Sequence, residues 1–159
     1  MYVSRDAELS NIESVIAKIK SSGWDIHPSK TCLLCVSPDY TGIFAQLVSH
    51  GLTVDDEIYC IETVQVNFPD EDIQEYKEVF EANFAKWRNQ WSNFLVLEAG
   101  VIKGNTFTWV AEVMKGADFK TVALYQAKES KYQCDLVGHC YESSESELEF
   151  WWEKPNKHF

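Results

Sequence analysis

Glu98 closes an apolar run, Leu95-Val96-Leu97, and is followed by Lys103-Gly104-Asn105-Thr106 and then Thr108. An acid held at a strand end can accept hydrogen bonds from sugar hydroxyls. A short turn that opens a helix at a threonine can cradle a phosphate, because the unbonded amides of the first turn point at the anion and the helix dipole adds to their attraction. The Lys103 ammonium and the hydroxyls of Thr106 and Thr108 would assist. The same pattern also describes a capped strand-to-helix turn that holds no ligand, and both readings stand on these residues alone.

Other polar groups carry less. Cys32 and Cys35 have the spacing of a chelating or redox pair, but they lie in Thr31-Cys-Leu-Leu-Cys-Val36, which reads as a buried strand. Positions three apart on a strand face opposite ways and cannot act together. Asp55-Asp56-Glu57 reads as a solvated turn rather than a metal site, since contiguous acids diverge. His27, His50, His139 and His158 follow no ligand spacing. No nucleophile elbow, Walker loop, zinc-protease helix or dinucleotide fingerprint is present, which counts against a serine hydrolase, an NTPase, a zinc protease and a dinucleotide enzyme.

The net charge of −11 disfavours nucleic acid as a partner, because that affinity comes largely from neutralising phosphates with Lys and Arg. A phosphate ligand must therefore be held locally, by backbone amides and few cations. Arg5, Asp6, Glu8 and Glu13 interrupt the first twenty residues, so no signal peptide is expected, and no run reaches the roughly 18 apolar residues of a membrane span. A cytoplasmic protein with its five cysteines reduced follows as the expectation.

The elements that must position Glu98 and its turn alternate along the chain. Leu9, Ile12, Val15, Ile16 and Ile19 predict a helix over 7–20, stopped near Gly23. Thr31–Val36 predicts a central strand, and Ser37-Pro-Asp-Tyr-Thr-Gly42 a turn into a helix over 43–49 closed by Gly51. A second strand is expected over 58–68, ended by Pro69, with Asp70–Asp72 opening a long helix. In that helix Ile73, Tyr76, Phe80, Phe84, Trp87 and Trp91 form a core stripe. Phe94–Glu98 is expected as a third strand, then a loop over 99–105 and a helix over 106–115. Thr121–Gln126 follows as a fourth strand, with extended pieces at 136–141 and 148–152. Strands alternating with helices predict a single α/β domain with a doubly wound, mostly parallel sheet, whose ligands bind beyond the carboxyl ends of the strands, after Val36, Glu98 and Gln126. At 159 residues, roughly 68–70% of the unfolded surface should be buried, enough for a full core.

Leu97-Glu98-Ala99-Gly100-Val101-Ile102-Lys103-Gly104-Asn105-Thr106 resembles the sugar-phosphate signature of the type I phosphoribosyltransferases, strand-acid-acid-x-x-Asp-Thr-Gly-x-Thr-helix. Cys134-Asp-Leu-Val-Gly138 and Phe150-Trp-Trp-Glu-Lys-Pro155 are similar to the closing segments of purine-type members, and Cys35–Ala45 to the pyrophosphate loop. The resemblance, in the family's order over about 120 residues, implies that Glu98 binds ribose, that Lys103, Gly104, Asn105 and Thr106 hold the 5-phosphate, and that Asp39, Tyr40, Thr41 and Gly42 meet the pyrophosphate. It places a nucleobase at Leu148 and Trp152. Departures fall on the chemistry: Ala99 replaces the second acid, Ile102 the loop aspartate that serves some members as general base, and Tyr40 and Thr41 a basic residue and a glycine.

What the resemblance implies is phosphoribosyl transfer from phosphoribosyl pyrophosphate (PRPP), with Mg²⁺, to a nitrogenous base, most plausibly a purine, in nucleotide salvage. A homodimer is implied too, and so small a variant would suit a phage gene acting in the host cytoplasm. The lost acids favour a rival, a nucleotide or sugar-phosphate binder without turnover. A protein-interaction module with no small ligand is the third reading.

Overall fold

The computed structural model describes residues 2–36, 38–66, 73–142 and 149–150. Its centre is a five-stranded sheet in the order β3-β2-β4-β5-β6, every neighbouring pair parallel, built from β2 (Thr31–Val36), β3 (Cys60–Val64), β4 (Asn93–Val101), β5 (Phe119–Ala127) and β6 (Leu136–Tyr141). Four helices cover it: α1 (Arg5–Ser21), α2 (Pro38–Leu52), α3 (Ile73–Gln90) and α4 (Asn105–Val113). β1 (Tyr2–Val3) and β7 (Glu149–Phe150) pair in parallel as a separate small sheet. Among the described residues no helix is long and apolar enough to cross a membrane.

Every side chain of β2 is buried, as a strand covered on both faces requires. Leu33, Cys35, Leu95, Leu97 and Leu124 pack on one side with Val15 and Ile19 of α1 and Phe44 and Val48 of α2. Cys32, Leu34, Val96 and Ala123 pack on the other with Phe80 and Phe84 of α3 and Phe107 and Val110 of α4. Cys32 and Cys35 thus face opposite layers, as their spacing demands. The α3 stripe docks with Phe80 and Phe84 buried and Ile73 and Trp87 partly so, while Trp91, expected within the helix, packs partly buried just beyond its end at Gln90. At roughly 1.5–3 kcal/mol per buried large side chain, the stripe outweighs dipole and pair contributions that amount to a few tenths each.

Several boundaries differ from the sequence expectation. α1 begins at Arg5, capped by Ser4 Oγ accepting from the Ala7 amide at 3.2 Å, and Leu9 is exposed, outside the buried stripe. α2 begins at Pro38, not after Gly42: proline's fixed φ and missing N–H suit a first helical position. It runs through Gly51, where a Cβ would lie 2.5 Å from Ile16 Cδ1, so that glycine permits α1 and α2 to approach rather than ending the helix. β3 is shorter than expected, and Ile58 is 78% exposed ahead of it. Pro69 and Asp70–Asp72 lie outside the described residues. Asp55 and Asp56 adopt positive φ in a turn, consistent with solvated acids.

The step from β5 to β6 returns the chain over residues 128–135 with no helix, shorter than the dozen or so residues a parallel crossover usually takes. Asp135 makes it possible. Its Oδ2 accepts from the Thr121 amide at 2.8 Å and the Thr121 hydroxyl at 3.1 Å, while its own amide donates to Thr121 Oγ1 at 3.0 Å.

Candidate functional site

The strand order changes direction between β2 and β4: from β2 the chain steps to β3 on one side and then returns to β4 on the other. The crevice beyond the carboxyl ends at such a switch point is where sheets of this kind bind ligands. The start of α2 and the turn from β4 to α4 lie there, so the topology brings the expected pyrophosphate and phosphate segments to one end of the sheet.

The turn consists of Ile102, Lys103 and Gly104. Gly104 takes the left-handed conformation, φ 82°, and immediately precedes α4. No side chain caps this helix and its first turn carries no acid, so the first amides and the positive end of the dipole are left for an anion. Thr106 sits half-buried in that turn. The Thr108 hydroxyl, in contrast, is spent on the Gly104 carbonyl at 2.7 Å. Lys103 is exposed.

Glu98 is placed differently from expectation. β4 does not stop there but runs to Val101, because Gly100 and Val101 continue the ladder with Tyr125 and Gln126 of β5. Glu98 therefore lies inside the strand opposite Ala123, 8% exposed, with no hydrogen bond or ion pair to its carboxyl among the described residues. Burial pushes its pKa up to about 8, so near neutral pH it is mostly a carboxylic acid, able to donate as well as accept. The ionisable groups that feel its charge are the thiols of Cys134 and Cys35, both raised first by their own burial.

Next to it, Ala99 presents a methyl group where a second acid would stand, and its amide donates to Thr41 Oγ1 at 3.1 Å. Thr41 is buried, and Tyr40 packs partly buried against the α1–α2 core layer. Asp39, Tyr40, Thr41 and Gly42 all belong to the opening of α2 rather than to a loop ahead of it. Ile102 projects a 45% exposed hydrocarbon beside the turn. Leu148 and Trp152 lie outside the described residues; their neighbours Glu149 and Phe150 pair with β1.

The segment after β5 contributes more than its sequence indicates. A Cβ on Gly104 would lie 2.5 Å from Ser130 Oγ and 2.7 Å from the Tyr132 nitrogen. The Lys131 amide donates to the Lys103 carbonyl at 3.1 Å, and Tyr132 stacks on Phe107 with ring centroids 5.2 Å apart and planes 17° apart. Gln126, fully buried, holds this segment through Gln133 at 2.7 Å and the Cys134 amide at 3.0 Å. Lys128 follows β5 directly and ion-pairs with Glu142. The loop after Gln126 is identifiable from the strand pattern as a ligand-facing loop, but nothing in its residue types marks which of them touch the phosphate turn.

Towards a divalent ion, Glu98 is largely protonated, the Ala99 side chain offers no oxygen, and among the described residues no group of three acidic, histidine or cysteine side chains converges as ligands.

No family model and no curated protein matches the chain by sequence. Solved structures do match by shape. A purine phosphoribosyltransferase from Pyrococcus horikoshii superposes with a TM-score of 0.67 at 16% identity, covering 98% of this chain and 95% of that one. The xanthine-guanine-hypoxanthine phosphoribosyltransferase of Helicobacter pylori gives 0.60 at 17%, covering 96% and 92%. A hypothetical protein from Neisseria gonorrhoeae with bound ppGpp gives 0.61 at 14%, covering 98% and 90%. The chain therefore has the type I phosphoribosyltransferase fold.

Proposed function

We propose that the chain is a divergent phosphoribosyltransferase that binds PRPP at the switch point and transfers its ribose 5-phosphate to a purine base. The observation that carries this reading is the start of α4, free of a side-chain cap, following a strand that holds a buried carboxyl with no partner among the described residues, at the ligand-binding end of a fold shared with purine phosphoribosyltransferases. Lys103, Gly104, Asn105 and Thr106 take the 5-phosphate, whose charge the α4 dipole favours. Glu98 takes the ribose hydroxyls, trading hydrogen bonds with them in its neutral form. The opening turn of α2, from Asp39 to Gly42, meets the pyrophosphate with a second positive helix end, and Leu148 and Trp152 flank the base.

In the transfer the bond from ribose C1 to the pyrophosphate oxygen breaks and a bond to a base nitrogen forms. The nitrogen's proton must leave to water or to the released pyrophosphate, because Ala99 and Ile102 stand at the two acid positions and offer no side-chain carboxylate to receive it. Mg²⁺ enters this reading as a companion of the PRPP diphosphate, not as an ion seated on the protein.

That missing base favours a second reading, a purine-nucleotide binder without turnover. The Ala99 amide is already satisfied by Thr41, and a protein of the same fold carries ppGpp. Calorimetric titration with PRPP and purine nucleoside monophosphates, with and without Mg²⁺, combined with a pyrophosphate-release assay across purine bases, separates the two. Binding that weakens at least tenfold in Thr106→Ala is expected under both. Pyrophosphate release establishes the transferase, binding without release establishes the binder, and no binding of any of these ligands overturns both in favour of a protein partner.

A further inference from the structure

Parallel pairing places Cys32 of β2 directly opposite Cys60 of β3. We propose that these two cysteines form a redox-active dithiol that closes to an intramolecular disulfide when it meets a glutathione-type disulfide. The spacing in sequence points to Cys35 as the partner of Cys32, but Cys35 faces the α1–α2 layer, whereas Cys32 and Cys60 share the α3–α4 layer. Paired residues on neighbouring strands have Cα atoms about 4.7–4.9 Å apart, inside the 4.4–6.8 Å window of disulfides. In the reduced form Cys32 Sγ donates to the Leu33 carbonyl at 3.6 Å and Cys60 Sγ to Glu62 Oε1 at 3.8 Å.

A bond between them must draw the Cβ atoms to about 3.5–4.5 Å. The fold can yield at one side. Among the described strands β3 is an edge strand hydrogen-bonded only to β2, and Cys60 is its first residue, preceded by the irregular segment 53–59. Cys32, in the centre of the sheet, stays where it is. Access is divided the same way, since Cys32 is fully buried and Cys60 only partly.

Cys60 is therefore the sulfur that meets the oxidant. Its thiolate attacks one sulfur of glutathione disulfide, releasing one glutathione thiolate and leaving a mixed disulfide. The Cys32 thiolate then attacks the Cys60 sulfur and expels the second glutathione. Two electrons and two protons pass in all from the protein thiols to glutathione. Burial and the neighbouring Glu62 charge hold both thiols protonated, so the reduced pair is the resting form and closure answers sustained oxidation.

The test is to incubate the native protein with glutathione disulfide, alkylate the remaining thiols after denaturation, and map peptides without reduction. The expected result is loss of two of the five free thiols, a Cys32–Cys60 cross-linked peptide, and recovery of both thiols with dithiothreitol. Cys60→Ser, a change at a partly exposed edge, should abolish the cross-link, and Cys35→Ser should retain it. Glutathione left on Cys60 with Cys32 free, a bridge from Cys32 to any other cysteine, or no thiol loss would each overturn the proposal.

Discussion

Glu98 sets a pH dependence that can be worked out from its burial. Its pKa rises from 4.5 to about 8 on folding, so between these values the native state holds a proton that the unfolded chain has lost. Stability is fully present below about pH 4.5 and falls as pH rises towards 8, with a slope approaching 1.4 kcal/mol per pH unit. Replacing Glu98 by Gln keeps the shape and removes the charge. The variant should match the parent within about 1 kcal/mol at pH 5 and exceed it by a few kcal/mol at pH 8. Urea midpoints at the two pH values decide this. A parent whose midpoint is flat over that range would mean that the carboxyl finds a partner and ionises normally.

Elements were legible where one physical signal dominated. The unbroken run Cys32–Val36 reads as a covered strand, and the steps from Ile73 to Trp87 read as one docked helix face, as both are found. Boundaries failed where two signals competed. Pro-Asp-Tyr-Thr-Gly reads equally as a turn or as a proline-led helix, and tertiary contact through Thr41 and Ala99 chose the helix. Glu98 reads as a strand end because it is charged, yet the ladder with β5 carries the strand past it. The hold of residues 130–132 on Gly104 was illegible because it joins elements separate in sequence at a glycine, whose own residue type shows only that a side chain is missing. It makes a sharp prediction. In Gly104→Ala the new Cβ meets a backbone nitrogen at 2.7 Å in a left-handed conformation, and neither element can step aside. Destabilisation of about 2–5 kcal/mol should follow, from roughly 1–2 for the backbone and 1–3 for overpacking. Chemical denaturation measures it, and a neutral result would mean that the turn is loose rather than preset for a phosphate.

The whole molecule carries a net charge of −11, and an anionic nucleotide bound as proposed would approach through that field to reach Lys103 and two helix ends. At low salt the long-range repulsion extends beyond the size of the site, about 30 Å at 0.01 M, and it shrinks to about 8 Å at physiological ionic strength. Contacts within the turn act over a few ångströms and are screened much less. Association of a purine nucleotide should therefore quicken with added salt over this range, while dissociation changes little. This is the reverse of a basic phosphate-binding surface, whose field steers the anion in and is lost to screening. Stopped-flow binding of a fluorescent purine nucleotide from 0.01 to 0.15 M salt reads the two rates separately. An association rate that falls with salt would show that the local field of Lys103 and the helix ends reaches into solvent and governs capture, and the phosphate site would then be electrostatically open rather than sheltered within an acidic protein.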